Sequence, residues 1–140
     1  MTIITLCGSA RFIDEWHHWN KLLSLNGDVV FGMALPPELQ SKNTLSDKLQ
    51  LDVCHLRKID ASESIVILNV DGYLGKSTSH EMLYAGGRGK TILFIERPVL
   101  SKNTSREIFQ PVHMPGETIF QVEDYHILTL LVKQAEKESW

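Results

Sequence analysis

Glu81 closes the segment Gly75-Lys76-Ser77-Thr78-Ser79-His80-Glu81, which continues through Met82-Leu83-Tyr84-Ala85 to Gly89-Lys90 and the apolar run Thr91 to Ile95. Small hydroxyl residues and a glycine at a helix entrance offer backbone amides and side-chain oxygens to an anionic or sugar ligand. The pattern therefore predicts a carboxylate, Glu81, in the first turn of a helix that leaves a buried strand, beside such a ligand. A carboxylate in that position can attack a sugar carbon. The same residues also fit a simpler role, because Thr78-Ser79-His80-Glu81 matches a capping box, in which the glutamate only returns a hydrogen bond to the helix start. Two metal- or phosphate-binding motifs fail on spacing. Gly75-Lys76-Ser77 looks like the end of a P-loop, but the required first glycine falls at Val70, and the second histidine of HExxH falls at Tyr84. No metal and no cofactor is expected, and Lys76 is either an anion contact or a solvated lysine.

Two further groups of residues bear on the same chemistry. Gly8-Ser9-Ala10-Arg11 follows an apolar run, where Gly8 permits close backbone approach and Ser9 and Arg11 offer donors to a phosphate, unless Ser9 only caps the next helix. Asp52 and Asp60 lie eight apart on or near one helix, so they need not share a face. Asp60 reads most simply as the end of that helix, and Asp52 by itself as a solvated carboxylate. Trp16 and Trp19 could stack on a base, but their spacing beside Phe12 and Leu23 favours core or interface.

These residues need elements to hold them. Ile3 to Cys7 reads as a strand, Phe12 to Leu23 as a helix stopped by Asn26-Gly27-Asp28, and Val29 to Phe31 as a second strand. Pro36-Pro37 opens a polar loop to about Asn43, of the kind that covers ligand sites. Leu49, Val53, Leu56 and Ile59 then mark an amphipathic helix from Thr44 or Ser46. It leads into Ser64 to Val70, a continuous apolar run expected to be a central strand buried on both faces. A helix over 77–87 and a strand over 90–96 follow, then an irregular stretch with Pro98, Pro111 and Pro115, a strand over 118–122 and a helix from about Glu123 to Glu138. Strands alternating with helices predict an α/β fold, a doubly wound, mostly parallel sheet of five strands with helices on both faces. Ligands on such sheets bind beyond the carboxyl ends of the strands.

Composition narrows the class. The chain has 140 residues, 43% hydrophobic and 22% charged, so one domain over 1–140 is expected. A net charge of -3 gives no electrostatic reason to expect a nucleic-acid polymer. Cys7 and Cys54 lack metal spacing and read as reduced, packed cysteines. With no signal-peptide run and no membrane-length segment in the sequence, a cytoplasmic protein with no membrane partner is expected.

Taken together, Cys7-Gly8-Ser9-x-Arg11, the Asp52-x7-Asp60 helix and Ser77-x3-Glu81-x2-Tyr84-Ala85-x3-Gly89-Lys90 resemble the nucleoside 2-deoxyribosyltransferase superfamily, including its 2'-deoxynucleoside 5'-phosphate N-hydrolase branch. The resemblance covers roughly residues 3–96 and rests on the order and spacing of these pieces. It implies a flavodoxin- or Rossmann-like fold. It also implies Glu81 as nucleophile and Asp52 as the residue that contacts the base or sugar and helps the leaving base gain a proton. Gly8, Ser9, Arg11 and Ser77 would line the sugar or phosphate pocket, with Asp71, Gly75 and Thr78 completing it. Two positions depart from the family pattern: Thr5 occupies the place of a first-strand tyrosine that orients the glutamate, and Gly75 that of an aspartate six residues before it, which Asp71 could replace only by another loop path.

The resemblance implies cleavage of an N-glycosidic bond in a nucleoside or nucleoside 5'-monophosphate, the sugar passing to water or to another base. A homodimer or larger homo-oligomer is implied as well, with Asn103 to Met114, including His113 and Met114, as the segment that could reach a neighbouring subunit. Two alternatives stay open: a protein that binds a nucleotide or ADP-ribose-like signal without turnover, and hydrolysis of a nicotinamide dinucleotide.

Overall fold

Strand β1 (Ile3–Cys7) forms from a β-branched run and pairs in parallel with β2 (Val29–Phe31) on one side and β3 (Ser64–Ile67) on the other. In this computed structural model, which describes residues 1–34, 39, 42–100 and 108–139, the sheet has six strands in the order β2-β1-β3-β4-β6-β5. Strand β4 (Thr91–Phe94) is parallel to β3, whereas β6 (Glu117–Val122) runs antiparallel to β4, and β5 (Gln110–Met114) antiparallel to β6. The helices are α1 (Ile13–Leu25), α2 (Leu45–Asp60), α3 (Lys76–Gly87) and α4 (Tyr125–Ser139). Pro36, Pro37 and Asn103 to Glu107 of the segments discussed above lie outside the described residues.

The α/β class is as expected, but the five-stranded, mostly parallel sheet is corrected to a mixed sheet of six. The extra strand is β5, hidden in the sequence by Pro111 and by a run without clear alternation. Pro115-Gly116 turns it tightly into β6, with Gly116 at φ 81, so that Met114 faces Glu117 across the hairpin.

The central strand shows why the sheet is covered on both sides. All four residues of β3 are buried, and they alternate between two cores. Ile65 and Ile67 pack with Met82 of α3 and Leu128 of α4, while Val66 packs with Trp16, Trp19 and Leu23 of α1. The strand ends at Ile67, short of the expected Val70, because Asn69 turns away to tie the ends of β3 and β4 together. Its Nδ2 donates to the Glu96 carbonyl at 2.9 Å, and the Glu96 N–H donates to its Oδ1 at 3.1 Å.

Helix α2 departs further from expectation. Thr44 and Asp47 cap it reciprocally, but it buries only Ile59, with Leu56 partly buried against the core. Leu49 and Val53, expected on the core face, are exposed, as is Leu45. Only the last turns of α2 meet the core.

From β1 the chain moves outward to β2 and then returns to the other side of β1 as β3, so the order reverses between β1 and β3. That reversal leaves a crevice beyond their carboxyl ends. Gly8 sits at its floor, where an added Cβ would come within 2.9 Å of Leu68 Cβ. Because a Cβ is fixed to the backbone, Gly8→Ala is expected to lower stability by about 1–3 kcal/mol in urea unfolding. An unchanged midpoint would mean that the backbone there yields freely.

Candidate functional site

A cavity of about 590 Å³ fills this crevice. One wall is the Gly8-Ser9-Ala10 turn with Trp16, the second is Lys48, Asp52, His55 and Lys58 of α2, and the third is Tyr73 and Gly75 to Thr78 with Glu81 of α3.

Each wall is held by local chemistry. The Ser9 carbonyl accepts the Trp16 indole N–H at 3.0 Å, and its hydroxyl accepts the Arg11 N–H at 3.4 Å, which starts a short 3-10 turn ahead of α1. Trp16 is thus a core residue, as expected, and also a cavity wall. Asp52 and His55 share a face of α2 because they are three residues apart. Helix α3 begins at Lys76 with Gly75 as N-cap and no side-chain cap, so its first amide groups lie on the cavity wall. A positive helix end there, with Lys48, Lys58 and Lys76 around it, favours an anionic ligand.

The early start of α3 corrects two expectations. Glu81 stands in the second turn rather than the first, and no capping box forms, since Thr78 lies inside the helix and is buried. Glu81 is therefore free of the capping role, and its Oε2 lies 3.3 Å from His55 Nε2. The same nitrogen lies 3.6 Å from Cys7 Sγ at the end of β1.

Burial dominates the electrostatics of this cluster. It pushes the Glu81 carboxyl from 4.5 up to about 8, and the negative charge of Asp52 acts in the same direction. It lowers His55 from 6.5 to about 4, reinforced by the Lys58 ammonium, against weaker support for the cation from a Leu6 backbone hydrogen bond and Asp52. The Cys7 thiol is pushed well up by burial and then by Glu81. Near neutral pH, three uncharged groups meet where β1, α2 and α3 converge.

Most expected site residues line the cavity: Glu81, Asp52, Gly8, Ser9, Gly75, Ser77 and Thr78. Arg11 and Asp71 do not. The Arg11 guanidinium lies 3.8 Å from the centre of the Tyr73 ring and 4.8 Å from that of Phe12, an arrangement in which cation and ring quadrupole attract. Asp71, at φ 54, donates its N–H to Glu96 Oε2 at 2.8 Å and borders a separate cavity of about 260 Å³. Arg11→Ala is accordingly expected to leave ligand affinity at the wild-type value in calorimetry, while Lys76→Ala weakens an anionic ligand.

Other motif residues are structural. The Tyr84 hydroxyl donates to Asp60 at 2.9 Å, Arg88 Nε lies 3.5 Å from the same carboxylate, and Lys90 Nζ donates to the Asp60 carbonyl at 3.0 Å. Asp60 does end its helix. The Thr5 hydroxyl pairs with Ser62 at 2.6 Å, in the turn between α2 and β3, and the neighbour of Glu81 is His55. Sequence reasoning passed over His55. Its signal was the i, i+3 spacing from Asp52.

Among the described residues, no helix is long and apolar enough to cross a membrane. No family model, curated protein or solved structure matches this chain.

Proposed function

We propose that the protein cleaves the N-glycosidic bond of a nucleoside or nucleoside 5'-monophosphate with Glu81 as nucleophile, in keeping with its resemblance to the nucleoside 2-deoxyribosyltransferase superfamily. The observation that carries this reading is the shared cavity of Asp52 and Glu81, with the open amino end of α3 beside them. A monophosphate fits that end, where amide groups and Lys76 answer its charge.

The reaction requires Glu81 to be ionised, so its proton passes to solvent, since a His55 held near 4 does not retain it. The carboxylate oxygen attacks C1', the C1'–N bond breaks, and its electron pair stays on the base nitrogen. Asp52 relays a proton from solvent to that nitrogen. The developing positive charge on the sugar ring is stabilised by the adjacent carboxylate and then trapped as a glycosyl ester on Glu81. Attack at C1' by water or by a second base frees Glu81. Water gives a hydrolase and a second base gives a transferase. On this reading the protein works in the cytoplasm as a homo-oligomer.

One observation favours a second reading. A Glu81 carboxyl held near 8 is a hydrogen-bond donor at neutral pH, which suits a protein that binds a nucleotide without turning it over.

Chromatography for free base distinguishes the two. The chain is incubated with ribo- and deoxyribonucleosides, their monophosphates and nicotinamide dinucleotide, with and without an acceptor base. Base release from a nucleoside or monophosphate that is lost in Glu81→Gln supports the proposal, and dependence on the acceptor identifies a transferase. Tight binding by folded protein without release from any of them sinks it in favour of the binding role. Nicotinamide release alone moves the substrate to the dinucleotide.

A further inference from the structure

The contiguous zinc motif fails in the sequence, yet the fold gathers another set of donors from three elements. Cys7 Sγ comes from the end of β1, His55 Nε2 from α2 and Glu81 Oε2 from α3. Their ligand atoms all lie within 4.8 Å of one another, with Nε2 at 3.6 Å from Sγ and 3.3 Å from Oε2.

The two spacings from His55 Nε2 match a coordination shell, and Cys7 Sγ and Glu81 Oε2 stand within 4.8 Å of each other. Metal–ligand bonds of about 2.0–2.3 Å at tetrahedral angles put a sulfur and a nitrogen ligand about 3.6 Å apart, and a nitrogen and an oxygen ligand about 3.4 Å apart. Hydrogen bonding alone accounts for the cluster less well. One imidazole nitrogen carries either a single proton or a single lone pair, so Nε2 can complete a hydrogen bond with only one of its two neighbours. A cation at the centre of the triangle satisfies all three.

We propose that Cys7, His55 and Glu81 form a binding site for one borderline-soft dication of the zinc class, three protein ligands holding it and a fourth position facing the 590 Å³ cavity. Binding replaces the thiol and carboxyl protons, which pass to solvent. The dication with one thiolate, one carboxylate and a neutral imidazole then has no net charge, which suits a site with Cys7 fully buried. Sulfur and imidazole ligands select against magnesium and calcium. The site does not depend on glycosidic chemistry. If that chemistry occurs, the metal occupies the Glu81 oxygen and blocks attack.

Cobalt(II) tests the site without reference to turnover. Full-length, chelator-treated protein under reductant is titrated with Co2+ alone and then with Zn2+. The expected result is one Co2+ per chain, with a thiolate-to-cobalt charge-transfer band in the near ultraviolet and the intense visible bands of four-coordinate cobalt, both erased by Zn2+. Cys54→Ser, which changes the other cysteine, keeps the bands. Cys7→Ser loses the charge-transfer band, and Glu81→Gln weakens Co2+ binding by at least about tenfold while its circular dichroism stays that of the wild type. Folded wild-type protein without the charge-transfer band at saturating Co2+ overturns the proposal, as does a band that follows Cys54. Failure of base release by the chelator-treated, metal-free protein, with the cobalt bands appearing on titration, would remove the glycosidic reading and leave the metal site standing.

Discussion

Glu81→Gln is expected to lower the rate of base release by about a thousandfold or more, because the amide can neither attack C1' nor form the covalent ester. The change is nearly isosteric, and the carboxyl it replaces is uncharged near neutral pH, since burial and Asp52 hold it near 8. The fold and the affinity for a non-hydrolysable ligand should therefore survive, affinity within about an order of magnitude. Single-turnover kinetics and ligand titration measure the two separately. Loss of both together would mark Glu81 as a structural residue. Base release at the wild-type rate would end its role as nucleophile.

For Asp52→Asn, we expect a loss of about 10²–10⁴-fold in kcat, the range for removal of a general acid. Asp52 lines the cavity from an exposed stretch of α2, so unfolding free energy should move by no more than about 0.5 kcal/mol. The diagnostic readout is leaving-group dependence. A substrate whose base departs without a proton has no use for the acid, so the variant's defect should shrink on it. A defect of equal size on every substrate would instead indicate that Asp52 positions the ligand or sets the field around Glu81.

How far the sequence reveals these residues depends on whether their role is local. Gly8 and the helix carrying Glu81 follow from strand-turn-helix punctuation, and the buried β3 follows from an uninterrupted apolar run. The capping-box reading of Glu81 fails because α3 starts at Lys76, after Gly75, without a side-chain cap. Arg11 stands in the expected turn, but the Tyr73 ring, sixty-two positions along the chain, draws its guanidinium out of the cavity wall. His55 had only the weak signal of helical spacing from Asp52. Its contacts with Cys7 and Glu81 arise from long-range closure of the sheet, which periodicity does not encode. The β5–β6 hairpin was half visible: Pro115-Gly116 is a turn signal, but Pro111 argued against a strand on its upstream side.

The two rims of the sheet limit how copies of this chain can associate. On one side β2 offers only three residues for strand pairing, and on the other β5 carries Pro111, which lacks the N–H that a continuing ladder would use. Neither border is a template for adding a foreign strand, so the sheet resists growth into fibrous or strand-swapped aggregates. Self-association through the exposed Leu45, Leu49 and Val53 of α2 would instead act beside the cavity, which Leu45 lines. Crowding the chain would then alter access to the crevice before it altered the sheet.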